Sequence, residues 1–287
     1  MNKRRFSASR LIIAALLVLW GVVIIYPFYS SLLTSIMTER EFVRSQAPLF
    51  VKEPTLEAYR YVLTYPKIWS AYKSTFIILL FGIPLNIFLT TTLAYALTRP
   101  EYPFKKAINN LIVFTMYFSG GMIPSYLLIR SLGLMNSYAS IIFAYGINTY
   151  YLIIAKSFFA TIPESLEEAA RIDGANDLVI FWRIFLPLTK PIMATLFLFY
   201  AVDRWNEWFN AMLYITDGAK WPLQLVLRDM IGMAGSKEMM PASISRKVFP
   251  MGIKMAVVVV TMLPIMLVYP FLQKYFIKGM LIGAVKS

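Results

Sequence analysis

Six stretches of the chain are almost continuously apolar, near 11–35, 71–97, 108–130, 138–160, 191–214 and 253–273. A helix needs about 20 mostly apolar residues to cross a bilayer, so the pattern predicts an all-α integral membrane protein with six transmembrane helices. Composition strengthens this. Hydrophobic residues make up 59% of the 287 and charged residues 15%, against roughly 45–50% and about 25% for a soluble domain. A water-soluble fold could not hide so much apolar surface.

The chain has no cysteine and no histidine. Thiol catalysis, disulfides, Cys/His metal sites and histidine acid–base chemistry are therefore excluded. No G-x-x-x-x-G-K-[ST] string occurs, so the chain cannot build its own P-loop for ATP. The net charge of +13 is read as serving orientation and lipid headgroups rather than nucleic acid, for which no module is visible. The sixteen methionines are core fillers without metal-site spacing.

Lys3, Arg4, Arg5 and Arg10 precede the first span. A signal peptide is the alternative, but the apolar run is long and no A-x-A-like site follows, so an uncleaved first span is expected. Positive charge before it argues for a cytoplasmic N-terminus, and six crossings return the C-terminus to the same side. Of the short loops, 98–107 carries Arg99, Lys105 and Lys106, while 131–137 carries no basic residue. Pro27, Pro84, Pro124 and Pro264 interrupt spans, with Gly120 and Gly121 just ahead of Pro124. Each proline removes a backbone hydrogen bond and permits a kink.

The most informative stretch is TIPESLEEAARIDGANDLVIFWRIFLPLTKP, residues 161–191. Thr161 and Glu164 form an S/T-x-x-E capping pattern with Pro163 in the first turn, so a helix is predicted to start there. Gly174 is placed to end it in a left-handed conformation. A second helix is predicted from Asn176 to Phe185, before Leu186–Pro187 breaks it. Glu164 and Glu168 repel at i,i+4, and Glu167 with Arg171 recovers a similar amount. From the residues alone, a solvated surface helix and an acidic knob offered to a basic partner are equally open.

The string Glu168-Ala169-Ala170, then Gly174, then Ile184-x-Leu186-Pro187 resembles the EAA loop of ABC importer permease subunits. The full run EEAARIDGA, which includes Glu167 and Asp173, is closest to the carbohydrate-uptake branch, the maltose-type permeases among it. The likeness runs over about residues 70–280 and includes the closing F-x-K-G-x-x-x-G-A-V-K at Phe276–Lys286. It implies a type I importer permease fold: an N-terminal tail, first helix and extracytoplasmic segment over 1–70, then a permease core over 71–287. The loop would fold into a cytoplasmic coupling helix seated in a groove of a separate ATPase dimer. Glu168 would pair with a basic residue there, Gly174 would allow the turn between helices, and Ala169 and Ala170 would permit close packing.

The same resemblance implies a prokaryotic plasma-membrane complex with a second, different permease and an extracytoplasmic binding protein. The long outside loops, 36–70 and 215–252, are its expected docking surface. ATP and Mg belong to the ATPase subunits; this chain is expected to be non-catalytic and to bind no cofactor or metal.

A second signal is AVDRWNEWFNAML, residues 201–213. The apolar run from Pro191 to Asp203 is too short to cross alone, so a crossing helix must include Asp203, Arg204, Asn206 and Glu207. At 1.5 Å per residue they lie ~18–24 Å along it. An Arg or Asp at such depth costs about 2.5–3.5 kcal/mol on insertion scales and normally faces protein or a water-filled cavity. Arg204 could pair internally with Asp203 or Glu207, or the helix could break near Val202 as a re-entrant turn. Alternatively these groups line a cargo cavity with Trp205 and Trp208, since aromatic faces stack on sugar rings and amides and carboxylates bind hydroxyls. Continuous helical spacing would put Arg204 and Trp208 on one face and Asp203 and Glu207 on another. Asn148, Tyr150, Tyr151, Tyr117 and Phe118 are further candidates for the pathway.

The W-N-E order of residues 205–207 also resembles span five of sugar permeases, and the expected cargo is an oligosaccharide, acidic if Arg204 meets it. A non-sugar solute on the same architecture is the nearest rival. An ion-coupled secondary transporter using Asp203 and Glu207 is the rival from another class; an integral-membrane enzyme has only this one acidic cluster to draw on.

Overall fold

The computed structural model describes residues 8–45, 49–99, 104–235 and 249–284. Helices α1 (Ala8–Ser35), α2 (Glu39–Arg44), α3 (Glu57–Thr64), α4 (Ile68–Thr98), α5 (Lys105–Tyr117), α6 (Met122–Ser131), α7 (Ala139–Ile142) and α8 (Thr149–Phe159) fill the first half. Then come α9 (Glu164–Ile172), α10 (Asp177–Leu188), α11 (Lys190–Trp205), α12 (Phe209–Tyr214), α13 (Leu223–Gly235) and α14 (Pro250–Ala284). The described residues contain no strand.

Three of the expected spans are single long helices, α1, α4 and α14. Pro27, Pro84 and Pro264 lie inside them without ending them. The large apolar side chains of α1 from Leu11 to Tyr29 are exposed, as a lipid-facing helix requires. The third span is a bent pair, α5 and α6, turned by 113°. The break falls at Gly120–Gly121, where Gly121 takes a left-handed φ of 89°; Pro124 belongs to the first turn of α6 and does not cause it. The fourth is interrupted between α7 and α8 over 143–148.

The chain forms two compact units. In the first, Met1–Ile68 with Leu227–Pro264, Thr38 caps α2 and the Glu41 carboxylate accepts from the backbone N–H groups of Lys52 (2.6 Å) and Glu53 (3.2 Å). Ser35 and Tyr59 share a hydrogen bond of 2.7 Å, and Phe42 packs on Phe249 at 5.4 Å.

The second, Trp69–Val226 with Ile265–Ser287, carries the loop and the polar segment. Its main core joins α4, α8, α9, α10 and α11 through Tyr95, Leu97, Leu152, Phe159, Ala170, Phe181, Phe185 and Leu196. A smaller cluster of Ile78, Ile141, Ala211, Ile215 and Leu225 packs against Trp208 and Trp221. Lys3, Arg4 and Arg5, the loop tip at 236–248 and the closing Val285 and Lys286 lie outside the described residues.

Candidate functional site

The loop after α8 folds as a helix, a glycine turn and a second helix. Its start differs from the capping pattern: α9 begins at Glu164 with Pro163 as N-cap, and the Thr161 hydroxyl donates back to the Phe158 carbonyl at 2.7 Å. A hydroxyl at the end of the preceding helix finds that carbonyl first. The stop is as expected. Gly174 sits at φ +81°, its N–H reaches Arg171 O (3.0 Å), and Ala175 N–H reaches Ala170 O (2.9 Å). That pair of bonds is a Schellman ending, which satisfies carbonyls the last turn would orphan.

Asn176 then caps α10, its side chain accepting from Val179 N–H at 2.9 Å. Leu186–Pro187 does not break this helix. Residues Ile180–Phe185 widen into a π-helix, and the chain continues through Leu188. Proline has no N–H to place in the ladder, and the wider turn carries the chain past it. The break comes at Thr189, where α10 and α11 meet at 79°.

The faces of α9 divide the predicted coupling residues. Glu167 and Ala170 are buried, whereas Glu168, Ala169, Asp173 and Gly174 are exposed, with Leu166 and Ile172 beside them. Ile184 and Leu186 are half-buried and Pro187 is exposed. Glu167 pairs with Arg171 (3.0 Å) as the spacing predicts, and also with Arg99.

The polar segment departs from a continuous fifth span. Helix α11 ends at Trp205, Asn206 is its C-cap, and residues 206–208 separate it from α12. Arg204 and Trp208 therefore do not share a helix face, nor do Asp203 and Glu207. The reason lies in Arg204, which is 4% exposed and pairs with neither acid. Its guanidinium donates to Asn86 Oδ1 (3.1 Å) and to the carbonyls of Ile141 (2.9 Å), Ile142 (3.4 Å) and Tyr145 (2.8 Å). The Asn86 amide adds bonds to Tyr145 O and Gly146 O, both 2.8 Å. These carbonyls belong to the end of α7 and to the interruption of span four that follows it. Non-helical backbone persists at membrane depth only where protein satisfies it, and a cation suits the C-terminal end of a helix such as α7. Gly82 leaves the room: a Cβ there would stand 3.3 Å from Arg204 Nε.

Beside this network lies a cavity of about 360 Å³ lined by Tyr145, Ile147, Asn148, Tyr200, Asp203, Arg204, Asn206, Glu207, Trp208, Phe209 and Asn210. Asp203 accepts from the Tyr151 hydroxyl (2.9 Å), and Glu207 accepts from both Asn210 nitrogens. Asn148 caps α8 by accepting from Tyr150 and Tyr151 N–H. Trp205 is buried, and Tyr117 and Tyr150 are 74% and 54% exposed; none of the three lines the cavity. Gly82, Asn86 and Asn210 are absent from the sequence reading. Asn86 was there to be seen, as an amide in the apolar run GIPLNIF. No metal-holding cluster is present among the described residues.

Comparison with known proteins agrees with this architecture. A family model described as binding-protein-dependent transport system inner membrane component matches residues 7–282, so the likeness takes in the first span, beyond the 70–280 that the motifs mark. Protein LplC of Bacillus subtilis (strain 168) is 45% identical over 268 residues, covering 93% of this chain and 91% of that protein. The polygalacturonan/rhamnogalacturonan transport system permease protein YtcP of the same organism is 41% identical over 291 aligned positions, covering 100% of both. A chain in the crystal structure of a bacterial ABC transporter involved in the import of the acidic polysaccharide alginate superposes with a TM-score of 0.87 at 32% identity, covering 96% of this chain and 99% of that one. The chain belongs to the family of binding-protein-dependent transport system inner membrane components, the non-catalytic permeases of ABC importers whose ATP is hydrolysed by separate subunits.

Proposed function

We propose that the chain is one of two different permeases that together import an acidic oligosaccharide handed over by an extracytoplasmic binding protein. Both termini and the 161–190 loop face the cytoplasm in this reading. Residues 1–70 form an N-terminal extension on a permease core of 71–287. The exposed face of α9, with Glu168, Ala169 and Asp173, docks on the ATPase, while Gly174 sets the turn into α10. Ile184, Leu186 and Pro187 carry the motion towards α11.

The observation that carries the cargo class is the cavity. Its volume is within the ~300–1,000 Å³ of small-molecule sites. Asn206, Asp203 and Glu207 offer acceptors and donors to hydroxyls, and Trp208 and Phe209 present rings for a sugar face. The relatives named for polygalacturonan/rhamnogalacturonan and alginate support an acidic cargo. Arg204 does not supply the counter-charge, because its N–H groups are taken by Asn86 and three carbonyls. A uronate carboxylate therefore needs a cation from outside this cavity, whose lining carries Asp203 and Glu207.

The test is cargo-dependent transport by the reconstituted complex, with trigalacturonate compared to maltotriose. Trigalacturonate is expected to be transported and maltotriose not. Asn206→Ala, which removes an amide from the lining, is expected to slow uronate transport roughly five-fold, the equivalent of about 1 kcal/mol for one hydrogen bond. Equal transport of both sugars removes the acidic class; transport of an amino acid but neither sugar removes carbohydrate.

A further inference from the structure

The buried face of α9 holds a charge network whose purpose docking on an ATPase does not explain. Arg99 follows the last helical residue of α4. Its guanidinium packs against both rings of the edge-on Tyr95–Phe185 pair, 4.4 Å from the Tyr95 centroid and 4.5 Å from that of Phe185, and its side chain is 13% exposed. It forms an ion pair with the Glu167 carboxylate, itself 9% exposed. The second Glu167 oxygen accepts from Arg171 at 3.0 Å, and the same Arg171 nitrogen meets Asp177 at 2.9 Å. Helices α4, α9 and α10 are thereby tied through four side chains. The two adjacent glutamates point opposite ways: Glu168 outward and Glu167 into the protein.

Apolar contact alone would hold α9 against the core, since Ala170 is already part of it. Apolar contact is non-directional and lets surfaces slide. An ion pair between two nearly buried side chains is favourable only while the two charges stay close, and the contact of the guanidinium with two rings restricts where Arg99 can sit. Burying two charges is costly unless they pair, so parting Arg99 from Glu167 is penalised in a way that sliding an apolar contact is not.

We propose that Arg99 and Glu167 are positioning residues that lock the coupling helix α9 to the cytoplasmic end of α4, so that displacement of α9 by the ATPase is passed directly to that span. This rests on the reading of α9 as the coupling helix. Without the lock, α9 follows the ATPase while α4 lags, and ATP is hydrolysed without transport.

The experiment uses the full complex in proteoliposomes with binding protein and trigalacturonate, measuring ATPase co-purification, basal hydrolysis and transport per ATP. Arg99→Met keeps an apolar stem against Tyr95 and Phe185 and removes the charge. It is expected to retain co-purification and basal hydrolysis while transport per ATP falls at least ten-fold. Glu167→Gln is expected to lower transport per ATP to a similar extent, the double variant no further than either single, and Arg99→Lys to recover part of the loss. Should Arg99→Met fail to assemble, the near-isosteric Glu167→Gln decides alone. Unchanged transport per ATP in Glu167→Gln, or strictly additive losses in the double variant, overturns the proposal. Glu168→Lys separates the two readings, because it is expected to release the ATPase altogether. If that variant keeps a fully stimulated ATPase, α9 is not the coupling helix and the lock falls with it.

Discussion

Arg204→Leu is expected to abolish the folded permease core rather than merely weaken cargo binding. The substitution leaves the carbonyls of Ile141 and Ile142 and the Asn86 side-chain oxygen without the donor that now satisfies them, and Tyr145 O with only its bond from the Asn86 amide. Each buried acceptor left unsatisfied costs about 1–3 kcal/mol, so these together remove a large part of the roughly 5–15 kcal/mol that holds a typical domain together. Arg204→Lys is expected to be little better, since one ammonium cannot span acceptors that a planar fork reaches from three nitrogens. Gly82→Val should reproduce part of the defect, because its Cβ would stand 3.3 Å from Arg204 Nε. Yield of monodisperse complex and its thermal midpoint in detergent are the measurements. If Arg204→Leu gives a wild-type midpoint and loses only uronate transport, Arg204 is a cargo ligand and the structural role assigned to it is wrong.

That expectation could not have been read from the sequence, and the reason is physical. Hydropathy weighs Arg204 by its cost of entering a membrane, and so predicts that it faces something polar. What it faces is set by Asn86, 118 positions away, and by carbonyls some 60 positions away. Backbone carbonyls are invisible to residue-type reasoning because every residue carries one. The same blindness produced the continuous fifth span: counting apolar residues requires the helix to run through Glu207, yet Glu207 accepts from Asn210 N–H across the break and helps start α12 instead. Arg99 was legible only as a basic residue of a short loop, since its partner Glu167 lies in a different element.

Local signals fared better. The Gly174 stop, the Asn176 start and the Glu167–Arg171 pair are each decided within about six residues, which is the range over which caps and i,i+4 pairs act. The family motif bears on what local physics leaves open, and the proposal that this acidic helix is a lever rather than a solvated surface rests on it. Thr161 shows the limit of pattern reading: the S/T-x-x-E spacing is present, but the hydroxyl already serves the preceding helix end.

The Gly174 turn permits a prediction that separates backbone strain from partner contact. Its φ of +81° is a conformation that side chains disfavour, yet a Cβ built there meets nothing within 4 Å among the described residues. Room is therefore not the reason for glycine; conformation is. An L-residue in the left-handed region costs roughly 1–2 kcal/mol, asparagine less, and a β-branched residue most. If strain alone acts, ATPase-coupled transport should fall in the order glycine, asparagine, alanine, valine. Asparagine should stay near wild type and alanine should lose roughly ten-fold. Valine should lose coupling altogether as the Schellman bonds from Gly174 and Ala175 are given up and α10 is no longer aimed along its present line. Binding-protein-stimulated ATPase in the reconstituted complex reads this order directly. Should asparagine fail as completely as valine, the open space over Gly174 is filled in the complex by the ATPase itself, and glycine is required there for close approach of a partner. If valine couples as well as glycine, α9 and α10 are joined in some other conformation in the working complex, and the lever geometry described for the loop does not hold.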